Sequence, residues 1–480
     1  MTTTAKSRCM NDESPRLQRE LTLRDLMLYG VVIMSPVGSM SFFGVLSQRG
    51  HGHAASMILI GMCVMLLTAI SYGRMASAYP SAGSAFSYVG QELTPALGYV
   101  VGWSMVMDYL LNPLICVMWC SQQGHVFFPS IPYWTWVILF AGLMTGMAIQ
   151  GIRISARVNL LLAAGMGLVV AIFLAAAALY VFRHPHSGAG FFTRPFYDPK
   201  TWTPSGIVGG TSLAVLVYMG FDGVSTLAEE AKTPHRDILN ATVLACVVIG
   251  LIAALEVYAA QLVWPMTQQF ADLDTAFTFV ARRAWTPLFG VVGATLIVAF
   301  VGSGLAAQLG AARLLYAMGR SGALPRGVFG VLETRRGIPR NSVLFVGAIA
   351  LAGAIVLPAV ATHATGFELG ANLLNFGALI AFMGVNAAAF VRYYVRAVRG
   401  TFINFIRPAL GFLVCLLLWW NLNTQAWVFG AIWLAIGISY GVWRTRGFRT
   451  DLVIFEVPPE VVPQPPRPGR SAPAAHRSIP

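Results

Sequence analysis

The sequence predicts an all-α membrane protein of about twelve transmembrane helices, built as an inverted 5+5 helix repeat with broken helices 1 and 6, plus two extra helices. Three observations predict it. The 480-residue chain is 56% hydrophobic and only 11% charged, with a mean hydropathy of +0.67. Soluble domains run near a quarter charged, so the surplus apolar surface must face lipid. Apolar stretches of spanning length recur along the chain, and the first and sixth of them are interrupted in their middle.

The spans read as about 26–48, 54–73, 95–120, 132–151, 157–182, 205–228, 239–264, 285–309, 341–360, 367–392, 405–421 and 425–443. Each is long enough, or nearly so, to cross the hydrocarbon core, and short Gly-, Pro-, Ser- and Arg-rich connections separate them. Residues 1–25 hold no apolar run, so no secretory signal is expected and the first span acts as its own insertion signal. The transmembrane domain covers 26–443, with repeat one at about 26–182, repeat two at about 205–392 and the extra helices at about 405–443. The tail, 444–480, is Pro-rich, cannot build a core and is expected to be disordered.

Charge sets the orientation. With the N-terminus inside, 26 of the 32 Lys and Arg residues fall in cytoplasmic segments, which predicts that both termini are cytoplasmic. The same sorting accounts for the basic pI without a nucleic-acid partner. Of six cysteines, none forms a C-x-x-C pair; Cys116 and Cys120, one helical turn apart, read as small packing residues rather than a metal pair. No metal or other cofactor is called for. His51 and His53 read as a solvated turn, and Ser71 to Tyr88 as a tight cytoplasmic turn with Arg74 at the surface.

The breaks carry the functional reading. In the first span Pro36 removes a backbone donor, disfavours helix at Ser35, and is followed by Gly38. In the sixth, Gly220 and Gly223 flank Asp222. Unwound backbone is costly in lipid unless it lines a cavity, and matched breaks point to a transporter binding site. Half-helix N-termini there would present free amides to an anionic group. The plainer reading, that Gly and Pro only bend these helices, stays open at each break taken singly.

Three acids lie within spans: Asp108, Asp222 and Glu256. A mid-membrane carboxylate costs roughly 2.5–3.5 kcal/mol on insertion scales, so each is a candidate for proton coupling or for pairing with a substrate ammonium. Structural alternatives stand beside these roles. Asp222 also suits an N-cap, Asp108 an interhelical hydrogen bond, and Glu256 a place near the outer water boundary.

At these residues the chain resembles the amino acid–polyamine–organocation superfamily of transporters, from about Leu23 to Trp443. The resemblance rests on Tyr72-Gly73-Arg74 with Tyr79-Pro80-Ser81-Ala82-Gly83-Ser84, on Gly220-Phe221-Asp222-Gly223 with Glu229-Glu230 and Pro234, on Arg313-Leu314-Leu315-Tyr316-Ala317-Met318-Gly319-Arg320, and on Asn375-Phe376-Gly377-Ala378. Gly102-Trp103, Asp108-Tyr109-Leu110-Leu111, Pro113 and Leu324-Pro325 look closest to bacterial putrescine importers. The chain departs from that pattern with Ser41 in place of an acid after the first break, with the acid Glu256, with no lysine in span five, and with Arg320-Ser321-Gly322 after span eight.

The resemblance implies a secondary transporter of the bacterial inner membrane that imports a small amine or amino acid, commonly with H+, by alternating access. The substrate would sit between the breaks, roofed by spans three, eight and ten. Ser35, Val37, Gly38 and Ser39 would offer backbone and hydroxyl contacts, Phe221 or Tyr218 an aromatic gate, and Asp108, Tyr109, Gly220 and Asp222 the remaining contacts, with Glu256 a further proton candidate. A neutral or cationic amino acid permease is the rival within the class. A membrane-embedded enzyme or sensor is the rival outside it; the chain carries no H-E-x-x-H set and no appended soluble signalling domain. Monomer and homodimer both remain open.

Overall fold

The computed structural model describes residues 21–445 and 447, apart from 80–83, 152–155, 185–189, 228–230, 266–269, 321–323, 334–337, 363 and 398–400. Most of the N-terminal segment, the Pro-rich tail, the Pro80-Ser81-Ala82-Gly83 motif, Glu229-Glu230 and Ser321-Gly322 lie outside the described residues.

Helix α1 (Leu23–Met34) begins at a capping box, with Thr22 N–H donating to Asp25 Oδ2 at 3.0 Å and Asp25 N–H returning to the Thr22 hydroxyl. It ends at the break, and α2 (Gly38–Arg49) continues the span at a 47° bend. There follow α3 (Ala54–Ala78), α4 (Ser84–Glu92), α5 (Pro95–Phe127), α6 (Tyr133–Ile149) and α7 (Ala156–Arg183). Span six is α8 (Pro204–Ala214) prolonged by two 3-10 segments, Val215–Tyr218 and Phe221–Leu227. Then come α9 (Pro234–Val263), α10 (Ala276–Ala284), α11 (Leu288–Arg320), α12 (Arg326–Phe329), α13 (Arg340–Val360) and α14 (Gly366–Phe390), which runs on through a π-helical turn at Val391–Val395. The last two are α15 (Phe402–Trp420) and α16 (Thr424–Arg444). Helices α5 and α8 start alike, on a Thr N-cap followed by Pro at the first helical position.

Among the described residues ten helical stretches are long and apolar enough to cross a membrane; the α1–α2 pair and the 17-residue α6 bring these to the twelve spans expected. Helices α5 and α14 lie innermost, whereas α7, α13, α15 and α16 bury little of their length and expose Leu161, Phe182, Phe402, Trp420 and Trp443 to the lipid. Equivalent spans of the two halves pack on each other: α1 on the Phe221–Leu227 segment, α3 on α9, and α5 on α11. An inverted repeat places them so, because its pseudo-twofold axis lies in the membrane plane and relates each span to its partner.

Alternate connections define two faces. The proximal face carries the start of α1, α4 and the α14–α15 connection; the distal face carries residues 50–53, the α9–α11 connection and the start of α14. On the proximal face the stretch Ser71 to Tyr88 is not a simple turn. The α3 helix continues to Ala78 and α4 starts at Ser84. Arg74 is half-buried, not free at the surface, because its guanidinium donates to Asn404 Oδ1 at 2.9 Å and lies 3.8 Å over the Tyr393 ring. Nearby, the buried Glu92 carboxylate accepts from Arg392 at 2.7 Å, Arg396 at 2.8 Å and the Tyr79 hydroxyl at 2.6 Å. On the distal face His53 departs from a solvated turn. It is buried, and its Nε2 lies 3.1 Å from the Thr201 hydroxyl.

Candidate functional site

The first break is local in origin. Ser35 sits at φ 58°, a left-handed conformation that costs a non-glycine residue, and Pro36 cannot donate to the turn before it. Two of the amides expected to be free, those of Gly38 and Met40, are engaged. Gly38 N–H donates to Ser35 O at 3.0 Å, Met40 N–H to Val37 O at 3.2 Å, and the Ser41 hydroxyl to Gly38 O at 2.7 Å. The backbone refolds into tight turns around the break, so the chain supplies its own donors and acceptors there.

The second break lies earlier than the Gly220-to-Gly223 stretch alone. Regular α-helix stops at Ala214, a 3-10 segment runs to Tyr218, and the chain extends at Met219 before Gly220 at φ 109°. A Cβ at Gly220 would sit 2.2 Å from Ile33 Cγ2, so this glycine lets span six press on α1. The backbone amides of Gly220, Asp222 and Gly223 turn toward the Asp222 carboxylate. Asp222 thus lies in the first turn of the Phe221–Leu227 segment, where an acid faces the positive end of the backbone.

Between the breaks lies a cavity of roughly 520 Å³. It gathers Ser35 and Gly38 from span one, Asp108, Tyr109 and Asn112 from α5, and Gly220 and Asp222 from span six. Spans three and eight form much of its wall, and span ten adds Leu374; span five adds Leu162, Ala163 and Met166, which the sequence reading left out. The Ser35 hydroxyl points to Met166 Sδ at 3.7 Å. The lining continues past Leu309 to Arg313, on the proximal half of α11.

The other candidates lie outside this lining. Val37 is buried in the core. Tyr218 donates its hydroxyl to Ile58 O at 2.7 Å, and Phe221 packs edge-on to Tyr72 at 5.3 Å and against Phe382 at 5.2 Å, so both rings face the core and neither reaches the cavity lining. Ser39 turns away from the cavity and donates its hydroxyl to Glu256 Oε2. Glu256 is fully buried, because α2 packs directly over it.

The aromatic closure lies on the distal side and was not read from sequence. Phe42, at the cavity edge, stacks on Phe367 at 5.1 Å; Phe300 meets Phe367 and stacks on Trp119 at 4.9 Å. Above the rings Arg49 of α2 pairs with Glu368 of α14 at 2.7 Å. Gly44 permits the approach, since a Cβ there would meet Leu273 O at 2.2 Å. Trp119 Nε1 donates to Asp274 O at 2.9 Å, and Thr365 donates to Asp274 Oδ1 at 2.8 Å.

Burial pushes the Asp274 carboxyl, in the α9–α11 connection, up to about 8, and the nearby Asp272 charge adds to the effect. A raised carboxyl favours the closed form while protonated, and this contribution fades as pH rises toward and through about 8. We expect a Phe42→Cys probe, its rate with an impermeant maleimide divided at each pH by that of an exposed control cysteine because thiolate content itself rises over this range, to become more reactive from the distal side between about pH 6 and about pH 9. Asp274→Asn should flatten that profile; an equal rise in both proteins would separate Asp274 from closure.

Against known proteins, the amino acid permease family profile matches residues 32–442. The low-affinity putrescine importer PlaP of Escherichia coli K12 is 32% identical over 459 residues, covering 93% of this chain and 98% of that protein. The branched-chain amino acid permease BcaP of Bacillus subtilis is 27% identical, covering 88% and 92%. The methylthioribose transporter of the same organism is 25% identical, covering 88% and 93%.

Proposed function

From the premise that this chain belongs to the amino acid permease family, whose relatives here are transporters and not enzymes, we propose that it imports a small organic amine of the putrescine type, coupled to protons, by alternating access. One observation carries the choice of substrate. Asp108 and Asp222 line a single cavity in which Arg313 is the one basic group among the described lining residues. An ammonium entering there meets two acids, and a diamine has a charge for each.

A substrate carboxylate is less well served. The Gly38 amide is spent on Ser35 O, the amides around Gly220 face Asp222, and Ser39 near the start of α2 already faces Glu256. At these positions the protein's own groups already take donors that a substrate carboxylate would use. Similarity to an importer that handles putrescine supports the same choice.

In this reading the proximal face is cytoplasmic, the membrane is the bacterial inner membrane, and the structure is inward-facing with its distal closure shut. The charge asymmetry of the loops supports that orientation. The amino acid reading keeps one support, the similarity to a branched-chain permease.

Uptake into proteoliposomes tests the proposal, with labelled putrescine, ornithine and leucine, with and without an inward proton gradient. Putrescine should accumulate best, and only with the gradient. Preference for leucine would transfer the chain to the amino acid reading, and gradient-independent exchange would remove proton drive.

A further inference from the structure

We propose that Glu256 is the proton-binding site of the transport cycle, and that its bond with Ser39 latches the distal half of span one onto span seven. The proposal rests on the importer reading above and names where its proton is held.

Glu256 lies on α9, outside the substrate cavity and with no exposed surface. Its Oε2 accepts the Ser39 hydroxyl, and its Oε1 has no partner. Among the residues with described side chains, the charged groups are Arg236 and Asp237 on α9 itself and, on the elements packed against it, Arg24 and Asp25 on α1, Arg49 on α2, Arg74 on α3, Arg183 on α7, Asp222 after the second break, and Arg282 and Arg283 on α10. None of them bonds to Glu256.

An ionised carboxylate sealed away without a countercharge is far more costly than one hydroxyl bond repays. The latched arrangement therefore needs a neutralising cation. One hydroxyl and one carboxylate supply too few oxygens for a metal ion. A proton on the unpartnered Oε1 satisfies the charge with no further ligand.

The location gives the proton its effect. Ser39 is the second residue of α2, next to Gly38 in the cavity wall and just beyond the hinge at Ser35. When α2 swings outward, Ser39 leaves Glu256 and distal water reaches the carboxylate. When α2 swings back, Glu256 is resealed, which requires a proton taken from that water. Distal closure is thus tied to protonation, and the proton passes into the closed state along with the substrate; the structure holds it before release, which completes when α1 moves off α9 on the proximal side and cytoplasmic water takes the proton from Oε1.

The test is Glu256→Gln in proteoliposomes. The amide oxygen can still accept from Ser39, so a permanently neutral latch remains. Exchange of labelled for unlabelled putrescine should persist near the wild-type rate, while gradient-driven accumulation falls to equilibrium. Wild-type accumulation in the variant would overturn the proposal, as would loss of exchange in a protein that still folds and binds putrescine.

A second measurement needs neither that variant nor any substrate. The infrared carbonyl band of a protonated carboxylic acid should shift in Ser39→Ala, which removes its hydrogen-bond donor. An unshifted band would overturn the proposal. Absence of putrescine uptake in the wild type, with the shift present, would count against the importer reading alone.

Discussion

Asp222→Asn should lower putrescine uptake by about tenfold to a hundredfold while the protein still reaches the membrane. Loss of one charge-assisted hydrogen bond to an ammonium removes roughly 1.5–3 kcal/mol, and about 1.4 kcal/mol is tenfold in affinity. The fold should survive because the Asn carbonyl can still accept from the amides of Gly220 and Gly223 that now face the carboxylate. Asp108→Asn should weaken putrescine binding in the same sense, since Asp108 lines the same cavity from α5. The measurements are initial uptake rate at matched protein level and the putrescine-induced thermal shift in detergent. Unchanged kinetics would remove Asp222 from the site.

Glu92→Ala should destabilise the protein by about 2–3 kcal/mol without altering substrate selectivity. Glu92 is 1% exposed and holds Arg392 and Arg396 of the segment after α14 against Tyr79, just past the end of α3. Breaking a buried pair costs roughly 3–5 kcal/mol, but Arg396 is 56% exposed and regains water, so the lower figure applies. The thermal midpoint in detergent should fall by several degrees, with the leucine-to-putrescine uptake ratio unchanged. A loss below about 0.5 kcal/mol would show that the clasp is an ordinary surface pairing.

The particular elements show how far local signals reach. Pro36 and Gly220 mark the two breaks because each acts on its own backbone, one by lacking an N–H and one by adopting φ 109°. Asp108 and Asp222 stand out because a carboxylate in an apolar run is rare whatever surrounds it. Tyr218 and Phe221 were drawn into the site by their nearness to the break, yet both rings turn into the core, Tyr218 toward Ile58 and Phe221 toward Tyr72. Sequence proximity gives the position of a residue along a broken helix but not the side it faces. The clasp at Glu92 was equally silent, since its partners lie 300 and 304 residues away.

By itself the sequence determined which segments enter the membrane, which end of each carries positive charge, and where two of them must break. Those are properties of short windows, set by transfer free energy and by the backbone chemistry of Pro and Gly. The tertiary structure alone decided which faces meet: Phe42 on Phe367, Arg49 on Glu368, and Ser39 on Glu256 across 217 residues. Lipid is as apolar as the helices it surrounds, so hydropathy does not rank one apolar face over another. The choice falls to close packing at small residues such as Gly44 and to buried polar pairs.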